Sequence, residues 1–168
     1  MEHDVPIITK QELNRYFISD QDFEKAIAFL KEAETQRHDT LAYEAFLTCA
    51  VIYYYRPFSK NEKSDKAEAT RRLSIDDFAD LTEADKEVHQ RCKDIRNTAI
   101  AHAEYSHYPT KLHEDTKVFF SSRYDILREE SIFWKNLCSL AQKLKYQCTN
   151  LRADYANRDM IFRPETNQ

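Results

Sequence analysis

T-E-A-D-K-E-V-H-Q-R-C-K-D-I-R-N-T-A-I-A-H-A-E, residues 82–104, decides the architecture of this chain. Thr82 opens T-E-A-D, a helix start in which a side-chain oxygen caps the first turn. Val88, Cys92, Ile95 and Ala99 then recur at spacings of four, three and four. That is a narrow seam of the kind that packs against another helix. The spacing predicts a helix that ends near Glu104. On a wheel of about 100° per residue with Val88 at the origin, Arg96 falls near ~80° and His102 near ~320°. The two polar side chains therefore stand on opposite shoulders of the seam. Six residues of rise separate them by about 9 Å along the axis. An arginine beside an apolar seam calls for a partner, because arginine is rarely buried alone.

Composition agrees with a helical chain. The 168 residues contain no glycine, where average usage of about 7% would supply roughly a dozen. Hairpins and phosphate-cradling loops lean on glycine, so Rossmann and P-loop sites are excluded. Ten Tyr and ten Phe make the chain too aromatic for disorder. The net charge of −4 gives no bulk signal for nucleic-acid binding, although a local basic site remains open. Cys49, Cys92, Cys138 and Cys148 form no C-x-x-C and read as reduced thiols on apolar helix faces. No cofactor and no metal site are expected. The start M-E-H-D-V-P is not a signal peptide, and no apolar run nears the roughly 20 residues that span a bilayer. A cytoplasmic protein without membrane contact is the expectation.

Outward from the central stretch, four further features follow. Thr9 opens T-K-Q-E, a capping box that predicts a short helix over Leu13, Tyr16 and Phe17. Ser19 opens a second helix whose buried face is Phe23, Ile27 and Leu30, ending near Gln36. A strongly apolar helix is predicted over 39–55, with Leu41, Ala45, Thr48, Cys49 and Ile52 on its inner face, widened by Phe46, Ala50 and Tyr53. It is either central to the core or at a subunit interface. Pro57 stops it at R-P-F. Residues 58–73 form a polar surface loop with a local basic patch: Lys60, Lys63, Lys66, Arg71 and Arg72. Ser74 begins a short capped turn.

Residues 105–124 read as loop, with an extended piece around 117–121. A final helix over 125–157 carries Phe133, Leu137, Leu140, Leu144, Cys148, Leu151 and Tyr155 on one stripe. The expected fold class is all-α: an antiparallel bundle of four to five helices in one domain over 1–168, with 158–168 as a flexible tail.

The segment R-N-T-A-I-A-H, residues 96–102, resembles the R-x(4–6)-H motif of the HEPN superfamily of helical ribonucleases and nucleotide-binding domains. One small helical domain with the motif late in the penultimate long helix is similar to that family. So is R-P-F after an apolar helix, followed by a basic loop. The resemblance covers about seven residues as motif and most of the chain as architecture. It implies a HEPN-like fold and metal-independent RNA cleavage at a homodimer cleft, leaving a 2′,3′-cyclic phosphate, in toxin–antitoxin or phage-defence biology. Arg96, Asn97 and His102 would then be catalytic. Histidine titrates near neutral pH and can move the 2′-OH or 5′-oxygen proton. Arginine stays charged and can hold the phosphate. Arg56, Lys60, Arg71 and Arg72 are candidate substrate-binding residues. RNA, a second copy, and a cognate antitoxin or nucleotidyltransferase are the implied partners.

Simpler readings stand beside this one. Arg96 can pair with Asp94 or Glu104, and His102 can complement the helix dipole. His102, Glu104, His107 and His113 are metal-ligand types without metal-ligand spacing. Tyr53, Tyr54, Tyr55 and Phe58 can stack on bases, but they continue a helical apolar face. A non-catalytic HEPN-like nucleotide-binding or interaction module is the competing function.

Overall fold

The computed structural model describes residues 7–8, 10–59, 72–100, 110–113, 118–121, 126, 129–156 and 161–162. Four α-helices build an all-α bundle: α1 (Lys10–Thr35), α2 (Leu41–Tyr55), α3 (Glu83–Asp94) and α4 (Ser131–Ala156). Cross-helix pairs give their directions. Phe23 meets Tyr54 and Phe29 meets Phe46, so α1 and α2 are antiparallel. Asp20 accepts from Thr149 and Arg152, while Glu24 pairs with Lys145, so α1 and α4 are antiparallel too. Lys143 bonds Asp85 and Arg91 pairs with Glu129, which sets α3 against α4 in the same sense. No described helix is long and apolar enough to cross a membrane.

One hydrophobic core runs through all four helices. Phe23, Ile27 and Leu30 are buried on α1, and Leu137, Leu140, Leu144 and Cys148 on α4, as their spacing predicts. Each fully buried leucine of this kind is worth about 1.5–3 kcal/mol over an exposed one. Around Phe23, the rings of Tyr54, Phe58 and Phe78 lie 5.9–6.2 Å away in tilted and edge-on contacts. Phe58 also meets His89 edge-on at 4.5 Å. The R-P-F turn thus plugs the core rather than opening a purely polar loop. Leu73, at the far end of that loop, is buried as well, and its N–H donates to the Pro57 carbonyl at 2.9 Å.

Several sequence expectations are corrected. There is no helix start at Ser19: α1 is continuous, and the Ser19 hydroxyl donates to the Arg15 carbonyl one turn back at 2.7 Å. A serine that bonds within the helix does not cap a new one. The inner face of α2 is also reversed. Tyr43, Leu47, Ala50, Val51 and Tyr54 are buried, whereas Leu41 is 80% exposed and Ala45 and Ile52 face outward. Because α2 is apolar around nearly its whole girth, periodicity alone cannot choose between two stripes.

Helix α4 begins at Ser131 rather than near 125. Ahead of it, Ile126 is buried, and a turn joins the Glu129 N–H to the Ile126 carbonyl at 3.3 Å. The extended piece is a hairpin of β2 (Thr110–His113) and β3 (Val118–Ser121). Ile161–Phe162 (β4) pairs in parallel with Ile7–Ile8 (β1). The Thr9 cap lies outside the described residues.

The caps predicted at Ser74 and Thr82 hold. Ser74 and Thr82 each form a full capping box, with Asp77 and Asp85 returning the bond. Between them, Asp80 takes a left-handed φ of 55°. Asp tolerates that region better than most residues, and a chain without glycine uses it here. The loop is clamped to α4 by Gln147, whose amide donates to the Ala79 carbonyl and accepts from the Ala79 N–H, both at 2.9 Å.

Candidate active site at the end of helix 3

Helix α3 does not continue as a regular α-helix. From Ile95 to Ile100 it becomes a π-helical turn. A π-turn closes i→i+5, so it carries one residue more per closure than the wheel assumed, and π-turns recur at functional sites. The shoulder angles computed at 100° per residue therefore do not hold beyond Ile95. Cys92 and Ile95 are fully buried in the chain's own core. Two of the seam residues therefore pack inward, while Val88 is half-buried.

Arg96 and Asn97 lie on the half-buried side of the turn. The Arg96 guanidinium donates from Nη1 to Asn97 Oδ1 at 2.9 Å and stands 5.9 Å from the Tyr55 ring centroid. The adjacent pair thus works as a unit: the amide oxygen orients the guanidinium, and the aromatic face supports it. The Tyr55 hydroxyl gathers more charge. Burial pushes its pKa up, the positive charges of Arg96 and Arg72 pull it down, and Cys92 and Asp94 raise it. Arg72, exposed at the end of the loop, therefore lies within electrostatic reach of the ring that Arg96 covers.

Arg56 does not join them. It forms an ion pair with Asp22 at 3.2 Å and stands 5.2 Å from the Tyr53 ring centroid. Asp22 is nearly buried; burial raises its pKa, and Arg56, Arg15 and Lys25 oppose the rise. Below it, Arg15 donates from Nη2 to the carbonyls of Arg56 (2.8 Å) and Pro57 (2.5 Å), satisfying acceptors at the end of α2. The Tyr53 ring is already used as well: Phe29 stacks on it at 5.5 Å and Lys25 stands 5.1 Å from its centroid. Arg56 is thus engaged toward α1 and the Tyr53 ring, with its side chain still 52% exposed. Lys60, Arg71 and His102 lie outside the described residues.

A histidine that sequence spacing did not single out, seven positions before Arg96, packs on the same Tyr55 ring. His89 is 8% exposed and shares a 3.0 Å hydrogen bond between its Nδ1 and the Tyr54 hydroxyl. Burial lowers its pKa to about 4; Lys93 adds to the fall and Asp76 opposes it. The Tyr54 hydroxyl is pushed well up, chiefly by burial. Both groups are neutral at pH 7. His89 is consequently a structural hydrogen-bonding group under Tyr55, where its ring packs at 5.7 Å, and not a proton carrier at that pH. Burial likewise raises the thiol pKa of Cys92, Cys138 and Cys148, with Cys148 pushed up to about 12. These thiols stay protonated and are poor nucleophiles. Among the described residues, no three His, Cys, Asp or Glu side chains gather as metal ligands.

Comparisons with protein-family models, with curated proteins and with solved structures find no match.

Proposed function

We propose that the chain is a metal-independent endoribonuclease of the HEPN type that acts as a homodimer, with Arg96, Asn97 and His102 as its catalytic set. The observation that carries this reading is the π-turn that holds Arg96 on Asn97 and over Tyr55, with Arg72 acting on the same ring. An arginine held over an aromatic face suits a phosphodiester: bidentate contact positions it, and fixed positive charge stabilises the oxyanion that develops. In the proposed reaction the ribose 2′-oxygen attacks the adjacent phosphorus and the bond from phosphorus to the 5′-oxygen breaks. His102 takes the 2′-hydroxyl proton or returns one to the 5′-oxygen. The products are a 2′,3′-cyclic phosphate and a 5′-hydroxyl. The second copy would meet the half-buried Arg96 side of the turn. A toxin or phage-defence role, with an antitoxin or nucleotidyltransferase as partner, belongs to the same proposal.

The test is incubation with mixed RNA in EDTA, comparing the wild-type chain with Arg96→Ala and His102→Ala and identifying the product ends. Cleavage by wild type alone, with cyclic-phosphate ends, supports the reading. Intact RNA in every lane, with or without co-purifying partner, removes it. A non-catalytic interaction module is favoured instead by the outward apolar strip of Leu41, Ala45 and Ile52 on α2. That reading gains if RNA is left intact while a second protein binds, and if Ile52→Lys abolishes the association.

A further inference from the structure

A cleft of about 460 Å³ opens where the end of α1 meets the starts of α2 and α4. Its wall residue Tyr43 stands twelve residues from Tyr55 on α2, about 18 Å along the axis. The cleft is therefore separate from the Arg96 turn. Its volume lies in the range of small-molecule sites, which in bundles form between helices. Leu30 and Leu47, both buried, give it an apolar floor.

The walls are flat and aromatic. His38 stacks on Tyr43 at 4.7 Å with an interplanar angle of 10°, and Trp134 lines the α4 side. The rim is polarised. Ser131 opens α4 and Lys135 stands one turn along, near the end where the helix dipole adds positive potential to the ammonium group. Glu34 comes from the last turns of α1, whose dipole end is negative. Burial raises the Tyr43 pKa and the Glu34 charge raises it further, so the tyrosine hydroxyl remains a donor. A cleft with aromatic walls, a cationic end and an acidic end discriminates by charge as well as shape.

We propose that this cleft binds a small planar aromatic ring that carries an anionic group and an N–H donor. The ring lies against the His38–Tyr43 stack and Trp134, the anion at Lys135 and the start of α4, and the donor at Glu34. The anion has two chemical sources, the phosphate of a nucleoside monophosphate or the carboxylate of an amino-substituted aromatic acid.

Trp134 is the chain's single tryptophan, so its indole N–H gives one NMR resonance that reports on this cleft directly. The full chain is titrated with AMP and, separately, with 4-aminobenzoate. A saturable shift of the indole peak is expected with at least one. A response to AMP alone assigns the phosphate source, and a response to 4-aminobenzoate alone the carboxylate. Lys135→Ala weakens binding by about tenfold, and Glu34→Gln by a smaller factor. Both side chains are exposed, so neither change threatens the fold. No saturable shift with either ligand, or a shift that Lys135→Ala leaves unmoved, overturns the proposal. Either result is independent of RNA cleavage.

Discussion

The two ends of α3 are built on different principles. At its start, Asp85 accepts from the Thr82 N–H at 3.0 Å and the Thr82 hydroxyl at 2.8 Å, and Lys143 of α4 donates to both its carboxylate oxygens. Burial pushes the Asp85 pKa up, but the bonds from Lys143 and Thr82 outweigh it, and the net shift is downward. At its other end, the helix loosens into a π-turn, and Arg96 finds its partner one residue away in Asn97. The start is tied across the bundle, while the end is satisfied locally and keeps its guanidinium half-exposed. A long-range tie fixes the start of the helix, whereas among the described residues the Arg96 guanidinium is held by an amide and a ring rather than by a carboxylate.

Four outcomes break or sharpen that contrast. The largest concerns the loose end. If the proposed ribonuclease reading holds, Arg96→Ala lowers the cleavage rate about a thousandfold, or about 4 kcal/mol, as removal of an oxyanion donor does. Its melting temperature stays close to wild type. A large drop in melting temperature would instead make Arg96 a structural residue.

The middle of the helix comes next. His89 has a pKa of about 4 folded, against its ordinary 6.5. The unfolded chain therefore binds the extra proton between these values, and stability falls as pH is lowered from 6.5 through 4. The loss approaches about 3 kcal/mol. His89→Asn flattens this part of a urea-unfolding series against pH; an unchanged slope refutes the assignment.

At the tied end, Asp85→Ala costs about 2 kcal/mol, because it removes the returning half of a capping box and leaves Lys143 without its carboxylate. Chemical denaturation measures it, and the pH dependence has a defined sign. The folded pKa is depressed, so the contribution is present above the ordinary carboxylate range and lost as pH falls through the folded value. Under the proposed ribonuclease reading, RNA cleavage at a permissive temperature remains. The smallest effect is that of Asn97→Ala, which frees Arg96 to wander and, under the proposed ribonuclease reading, slows cleavage about tenfold, equal to about 1.4 kcal/mol. An Asn97→Ala chain as fast as wild type would show that the 2.9 Å bond does not orient the guanidinium.

Much of the scaffold was legible in the sequence. The capping boxes at Ser74 and Thr82, the end of α2 before Pro57, and the buried stripes of α1 and α4 all follow from side chains a few positions apart. The candidate site was legible only in part. Arg96 and Asn97 are proposed from motif spacing and Arg72 from the basic run, while the contacts of Arg96 come from the fold. His89 gave no signal except its place two turns before Arg96, because burial and the Tyr54 bond come from a distant segment. Arg56 looked like a free cation beside a turn. Only the fold brings Asp22 to it, from thirty-four residues away.

By itself the sequence determined the helical class, the caps and the stops. These depend on backbone donors and acceptors satisfied within one or two turns. Tertiary structure decided which face of α2 turns inward, that Ser19 sits within one long helix, and that α3 widens at Ile95. Those outcomes depend on which neighbour fills the space beside a helix. A helix apolar around its girth, or an arginine with several possible partners, carries no local term strong enough to choose.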